Sequence, residues 1–274
     1  MNASDDLHDG IQDARFAGVR ASLERAGERF TSIGIIQRWG WLIAIGLAVV
    51  IAGIGIGIFV LALLLAGWPD FWFNDLEVLL DATRRLFAGE SWYLERQLHG
   101  PYPAQFGDVM YPPVLAWFLV PWLILPAWTF VAIPVGILAW HIVGARPAPW
   151  TWPLLALGLT YPITLVHAGF ANPTLWMAAF AALGLRFAWP GALILLKPSL
   201  LPFALIGIRR RGWWLVAGGL ALASLPFLAE TLIYPRVVLD AQGGGLLYSG
   251  LVIPFMLVPV VAWLGRRREP AAPP

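Results

Sequence analysis

Three long stretches of this chain carry no charged residue: Trp39 to Pro69, Val109 to Ala145 and Pro147 to Leu185. A membrane-spanning helix needs about 20 apolar residues, so the first stretch has room for one and each of the others for two. Backbone groups in lipid must be satisfied within the protein, which leaves only helices and closed barrels. These runs are too long and too unalternating for barrel strands. The expected fold is therefore all-α, a polytopic helical membrane protein. Composition agrees, because only 12% of the residues are charged where a soluble domain carries about a quarter. The absence of cysteine excludes disulfides, thiolate catalysis and Cys-based zinc sites.

Eight spans are expected, at about 39–67, 112–125, 127–143, 152–167, 171–187, 190–208, 213–229 and 247–264. Basic residues favour the cytoplasmic side. Arg29 and Arg38 precede the first span, Arg209–Arg211 follow the sixth and Arg266–Arg268 follow the eighth. All three clusters face the cytoplasm if the count is eight. The expected location is then the cell membrane, with both termini cytoplasmic and the loops 68–111 and 230–246 outside. In domain terms, 1–38 is a cytoplasmic segment whose Phe16, Val19, Leu23, Phe30 and Ile33 form an amphipathic surface helix. Residues 39–265 are the membrane domain, and 266–274 are a cytoplasmic tail.

The loop 68–111 concentrates what charge the chain has. It holds Asp70, Asp75, Glu77, Asp81, Glu90, Glu95 and Asp108, seven of the sixteen acidic residues. Connectors between helices usually run 2–8 residues, so a long, acidic and aromatic loop is a candidate functional surface. Within it, DLEVLLDATRRLF at 75–87 predicts a helix ending at Gly89. At about 100° per residue, Leu76, Val78, Leu79, Leu80, Ala82, Thr83, Leu86 and Phe87 form one apolar arc. Glu77, Asp81, Arg84 and Arg85 fill the rest, with Asp81 and Arg85 spaced to pair. Asp75 falls inside the apolar arc. It either caps the helix, as Asn74 also could, or is a carboxylate with a raised pKa suited to general acid–base work.

Lys197 is the only lysine and lies within the sixth apolar segment. An ionisable residue there is a functional candidate, able to hold a phosphate as a point charge, unless it snorkels outward along its stem. His141, His167 and Asn172, near span ends, read as helix–helix hydrogen bonds or as ligands. No Asp/Asn cluster in the loop has a spacing that demands a metal.

Asp75-Leu76-x-Val78, Ala82, Leu86, Gly89 and Tyr93 resemble the first-loop signature of glycosyltransferase family 87. These are GT-C type, polyprenyl-phosphate-mannose-dependent mannosyltransferases. The resemblance continues through Tyr111-Pro112-Pro113, Leu119 to Pro121 and Gly169-Phe170-Ala171-Asn172, where the family tends to have Gly-Gln-x-Asn. It ends with Lys197-Pro198-Ser199-Leu200-Leu201-Pro202 before a basic cluster, and covers about residues 40–215. It implies an inverting hexosyltransferase that takes a sugar such as mannose from a polyprenyl-phosphate donor. No cofactor is expected beyond that donor, and a divalent metal stays an open alternative because GT-C relatives differ on it. The acceptor would be a lipid or glycan at the extracytoplasmic face, and nucleic acid is no partner. Asp75 would be the general base, Lys197 with Arg84 or Arg85 would neutralise the lipid phosphate, and Tyr111 would shape the site, with Asn172 and His167 as further substrate-binding candidates. Two other readings remain at this point: a non-catalytic subunit that binds lipid-linked sugar, and a small lipid-sugar transporter. The eight-span topology puts His167 and Asn172 at the cytoplasmic end, away from the loop. The alternative is that one short segment is a re-entrant turn.

Overall fold

The structure, a computed structural model, describes residues 34–66, 72–105, 107–243 and 250–266. The expected N-terminal surface helix, Trp68, Asp70 and Arg267–Arg268 lie outside these residues. The chain is mostly helical. Helix α1 (Gly34–Ala66) is followed by α2 (Asn74–Phe87), α3 (Glu95–Leu98), the two-residue strand β1 (Tyr102–Pro103) and α4 (Leu115–Leu119). Then come α5 (Trp128–Ala145), α6 (Trp152–Thr160), α7 (Pro162–Gly169) and α8 (Thr174–Phe187). Two 3₁₀ stretches (Trp189–Leu196 and Pro198–Leu200) lead into α9 (Leu201–Ala204), α10 (Arg211–Ala223) and α11 (Leu228–Asp240). Strand β2 (Ala241–Gln242), α12 (Ile253–Met256) and α13 (Val258–Leu264) complete the order.

Among the described residues, three helical segments are long and apolar enough to cross a bilayer: Trp39–Leu65, Trp128–Ala145 and Arg211–Asp240. A fourth joins them if α7 and α8, bent by 108° at their junction, count as one span. The other expected spans are shorter elements, and proline is the physical reason. Pro121 and Pro126 reduce 112–125 to one short helix and a 3₁₀ turn. Pro190, Pro198 and Pro202 turn 190–208 into a chain of short turns, because each proline removes a backbone donor and bars the preceding residue from the helix. The expected outer loop 230–246 is mostly helix: α11 continues to Asp240.

Helix α8 is the centre of the fold. Every residue from Thr174 to Ala182 is buried, and a helix apolar on all sides belongs in a core. Its alanines at 178, 179, 181 and 182 let α5, α13 and the 3₁₀ stretch Trp189–Leu196 approach closely. Helix α1 instead packs along one side, on α6 and α7. Its contact is tight at Gly55, where a Cβ would stand 2.2 Å from the Thr160 carbonyl oxygen. The rest of its surface is exposed Leu, Ile and Val, as suits a helix facing lipid.

Residues 72–105 and 107–111 pack against this assembly. Helix α2 has the predicted bounds within a residue and closes at Gly89, whose φ of 83° places it in the left-handed conformation that ends many helices. Leu76, Leu79, Leu80, Ala82, Thr83 and Leu86 are buried, and the helix packs on α4. Asp81 pairs with Arg84 rather than with Arg85. The remainder of the segment is anchored to α11: Tyr102 donates to the Val237 carbonyl at 2.9 Å, and β1 pairs in parallel with β2.

Candidate functional site

The start of α2 docks on the turn between α7 and α8. The amides of Phe73 and Asp75 donate to the carbonyls of Gly169 and Phe170 at 2.8 and 3.0 Å, and that of Leu76 to Phe170 at 3.4 Å. Helix-start amides need acceptors from elsewhere, and here backbone carbonyls supply them. No side chain caps the helix, so the capping alternative for Asp75 gives way. Phe73 and Ala171 both have positive φ, 63° and 55°. Non-glycine residues hold this conformation only where surrounding contacts enforce it, and the two flank the junction on either chain.

The Asp75 carboxylate, freed from capping, points at Asn172, whose Nδ2 donates to Oδ2 at 2.6 Å. Asn172 sits at the head of α8, and its own amide donates to the His167 carbonyl at 2.8 Å. Its Oδ1 accepts from the Thr174 amide at 2.9 Å and the Thr174 hydroxyl at 2.6 Å. A backbone N–H can only donate, so this bond fixes which end of the Asn172 amide faces Asp75. Asn172 therefore both caps α8 and hands a proton donor to the carboxylate.

Lys197 reaches the same asparagine from the opposite side. It stands between the two 3₁₀ stretches with φ −131° and ψ 81°, outside the helical region that the following Pro198 disfavours. Its Nζ donates to Thr174 Oγ1 at 2.6 Å, to the Tyr111 hydroxyl at 3.3 Å and to Asn172 Oδ1 at 3.4 Å. The side chain is buried, 6% exposed, and does not snorkel. Tyr111 also donates to Asn172 Oδ1 at 3.3 Å. The Tyr111 carbonyl is gripped by Trp92 Nε1 at 2.9 Å and the Tyr93 hydroxyl at 3.2 Å, which fixes the tyrosine above the lysine.

Asp75 and Lys197 are thus opposite charges joined through one amide. Burial pushes the Asp75 carboxyl above its usual range, while the Asn172 hydrogen bond and the Lys197 charge pull the other way. The net effect is a carboxyl group more basic than usual, facing a fixed ammonium. Such a pair can accept a proton at one end and hold an anion at the other.

Four of the sequence candidates, Asp75, Tyr111, Asn172 and Lys197, come together here. The expectation that Asn172 lies away from the loop 68–111 is corrected: the 169–172 turn meets the loop's helix directly, as the re-entrant alternative allowed. His167 is buried on α7 and contributes the carbonyl that closes the turn. Arg84 and Arg85 do not join the site. They lie nine and ten residues along α2 from Asp75, about 14 Å at 1.5 Å per residue. Arg84 binds Asp81 at the surface, and Arg85 donates to the Trp92 carbonyl at 3.3 Å. Sequence reasoning missed Thr174; the available signal was Asn172-Pro173-Thr174, an Asn-Pro turn opening a helix. Among the described residues, no three His, Asp or Glu side chains converge to hold a metal ion.

Comparison with known proteins gives no relative: no family model, no curated protein and no solved structure matches this chain.

Proposed function

We propose that this chain is a GT-C type membrane glycosyltransferase that moves a hexose, such as mannose, from a polyprenyl-phosphate donor to a lipid or glycan acceptor. The observation that carries this reading is the Asp75–Asn172–Lys197 cluster at the top of an apolar helical assembly. In the reaction, Asp75 takes the proton of the acceptor hydroxyl as its oxygen attacks the anomeric carbon. The bond from that carbon to the phosphate oxygen breaks, with inversion, and the lipid phosphate leaves as an anion. Lys197 neutralises the departing charge. Two of its three hydrogen bonds are long, at 3.3 and 3.4 Å, so exchanging them for phosphate oxygens gives up little. Asn172 orients the carboxylate, and Tyr111 closes one side. The reading includes a multi-pass placement in the cell membrane, with residues 72–111 on the outer face and both termini cytoplasmic.

The test is sugar transfer from radiolabelled polyprenyl-phosphate mannose into the lipid and glycan fractions of membranes containing wild type or Asp75→Asn. Removing a general base costs about 10²–10⁴ in rate, so transfer by the variant should fall by that factor at unchanged expression. Transfer at the wild-type rate would overturn the assignment.

A further inference from the structure

Opposite charges brought this close in a buried site attract strongly, and a direct Lys197–Asp75 salt bridge would occupy both groups. The structure instead places Asn172 between them: its Nδ2 fills the facing oxygen of Asp75 at 2.6 Å. What keeps the ammonium on the far side of that amide is its shortest contact, the 2.6 Å bond to Thr174 Oγ1. Thr174 is fully buried. Its hydroxyl proton is directed to Asn172 Oδ1 at 2.6 Å, which leaves its lone pairs for the ammonium. The hydroxyl is held by the first turn of α8, the most enclosed helix in the fold, so its position is set by the core rather than by the loop.

We propose that Thr174 is a positioning residue: its hydroxyl holds the Lys197 ammonium off the Asp75 carboxylate, keeping base and cation apart for the two ends of the transfer. The inference rests on the reading of this cluster as a transfer site. The titratable groups facing Lys197 are Asp75 from α2, Tyr111 from the chain before α4 and His167 from α7. Asp75 is the one carboxylate among them, so it is the partner the ammonium collapses onto when the threonine is lost.

Lys197 is the only lysine, so an amine-selective reagent reports on it directly, in peptide-resolved mass spectrometry of the detergent-purified protein. The variant Thr174→Val keeps the shape and removes the hydroxyl. An ammonium paired directly with a carboxylate gives up its proton less readily. The pH at which Lys197 becomes reactive should therefore rise by about one pH unit in Thr174→Val, with roughly tenfold slower labelling below it. Thr174→Ser should restore the wild-type profile, and Thr174→Val with Asp75→Asn should lose the upward shift. If Thr174 only lends the ammonium a hydrogen bond, the profile moves down instead, and that result, or no movement, overturns the proposal. Should the valine variant elute as unfolded protein, Thr174→Ala gives the same reading. The labelling is independent of transfer. A normal shift with unaffected transfer by Asp75→Asn refutes the function alone, and an absent shift with lost transfer refutes only this inference.

Discussion

Asn172 is the residue through which the site and the fold depend on each other, and Asn172→Ala tests that dependence. The substitution removes a 2.6 Å bond to a partly buried carboxylate and the Oδ1 that accepts from the Thr174 amide at 2.9 Å. A hydrogen bond to a charged group is worth about 2 kcal/mol and a helix cap about 1 kcal/mol, for a combined loss of about 3 kcal/mol. Thr174 and Lys197 stay paired with each other at 2.6 Å, which limits any further loss. For a chain of this size each kcal/mol moves Tm by roughly 2–4 °C, so the variant should melt about 6–12 °C lower. The sixteen tryptophans make intrinsic fluorescence on heating the natural assay, in one detergent at one pH. Tyr111→Phe is the internal comparison. It removes the two 3.3 Å hydroxyl contacts to Asn172 and Lys197, for which about 0.5–1 kcal/mol is expected. A melting point for Asn172→Ala within about 2 °C of wild type, or one no lower than that of Tyr111→Phe, would refute the reasoning, because the asparagine would then not be joining α2 to α8.

Two other substitutions follow from the same geometry. Asn172→Asp sets two carboxylates against each other, and the pair must share a proton to sit at this distance. The folded state then binds that proton more tightly than the unfolded chain does. The stability deficit of the variant against wild type should be small near pH 5, grow as pH rises toward about 8, and show as a widening Tm gap; a gap independent of pH contradicts the arrangement. Gly191→Ala puts a Cβ 2.1 Å from the Ile206 carbonyl oxygen in the stretch that carries Lys197. It should destabilise by about 1–3 kcal/mol and alter Lys197 labelling, whereas Gly218→Ala, with nothing within 4 Å, should stay within about 0.5 kcal/mol of wild type.

The parts of this site that were legible in the sequence were legible because charge is scarce. Asp75 stood out as the carboxylate on an apolar arc and Lys197 as the one lysine in an apolar segment, and both occupy the cluster. Helix α2 was readable because its periodicity is strong and Gly89 ends it. Arg84 and Arg85 were drawn in by nearness in sequence, but the helical rise carries them to the far end of α2, where surface and backbone partners take them. Hydropathy marked long apolar runs but does not see how Pro121, Pro190, Pro198 and Pro202 divide some of them into shorter elements. That same division is what lets the 169–172 turn and the Lys197 stretch meet the loop that carries α2. Thr174 was missed because Asn172-Pro173-Thr174 marks a helix start without showing which buried group the threonine hydroxyl faces.

The central claim is that Asp75, from the loop helix, and Asn172, from the turn between α7 and α8, share one site on one side of the membrane. The chain has no native cysteine, so a cysteine pair introduced at these two positions can be read without background. A short bifunctional thiol reagent should join Asp75→Cys to Asn172→Cys within one monomer, seen as a single linked peptide and the loss of both free thiols. The pair Arg84→Cys and Asn172→Cys, separated by most of α2, should stay unlinked. Free thiols at 75 and 172 under conditions where each single cysteine reacts fully would contradict the account.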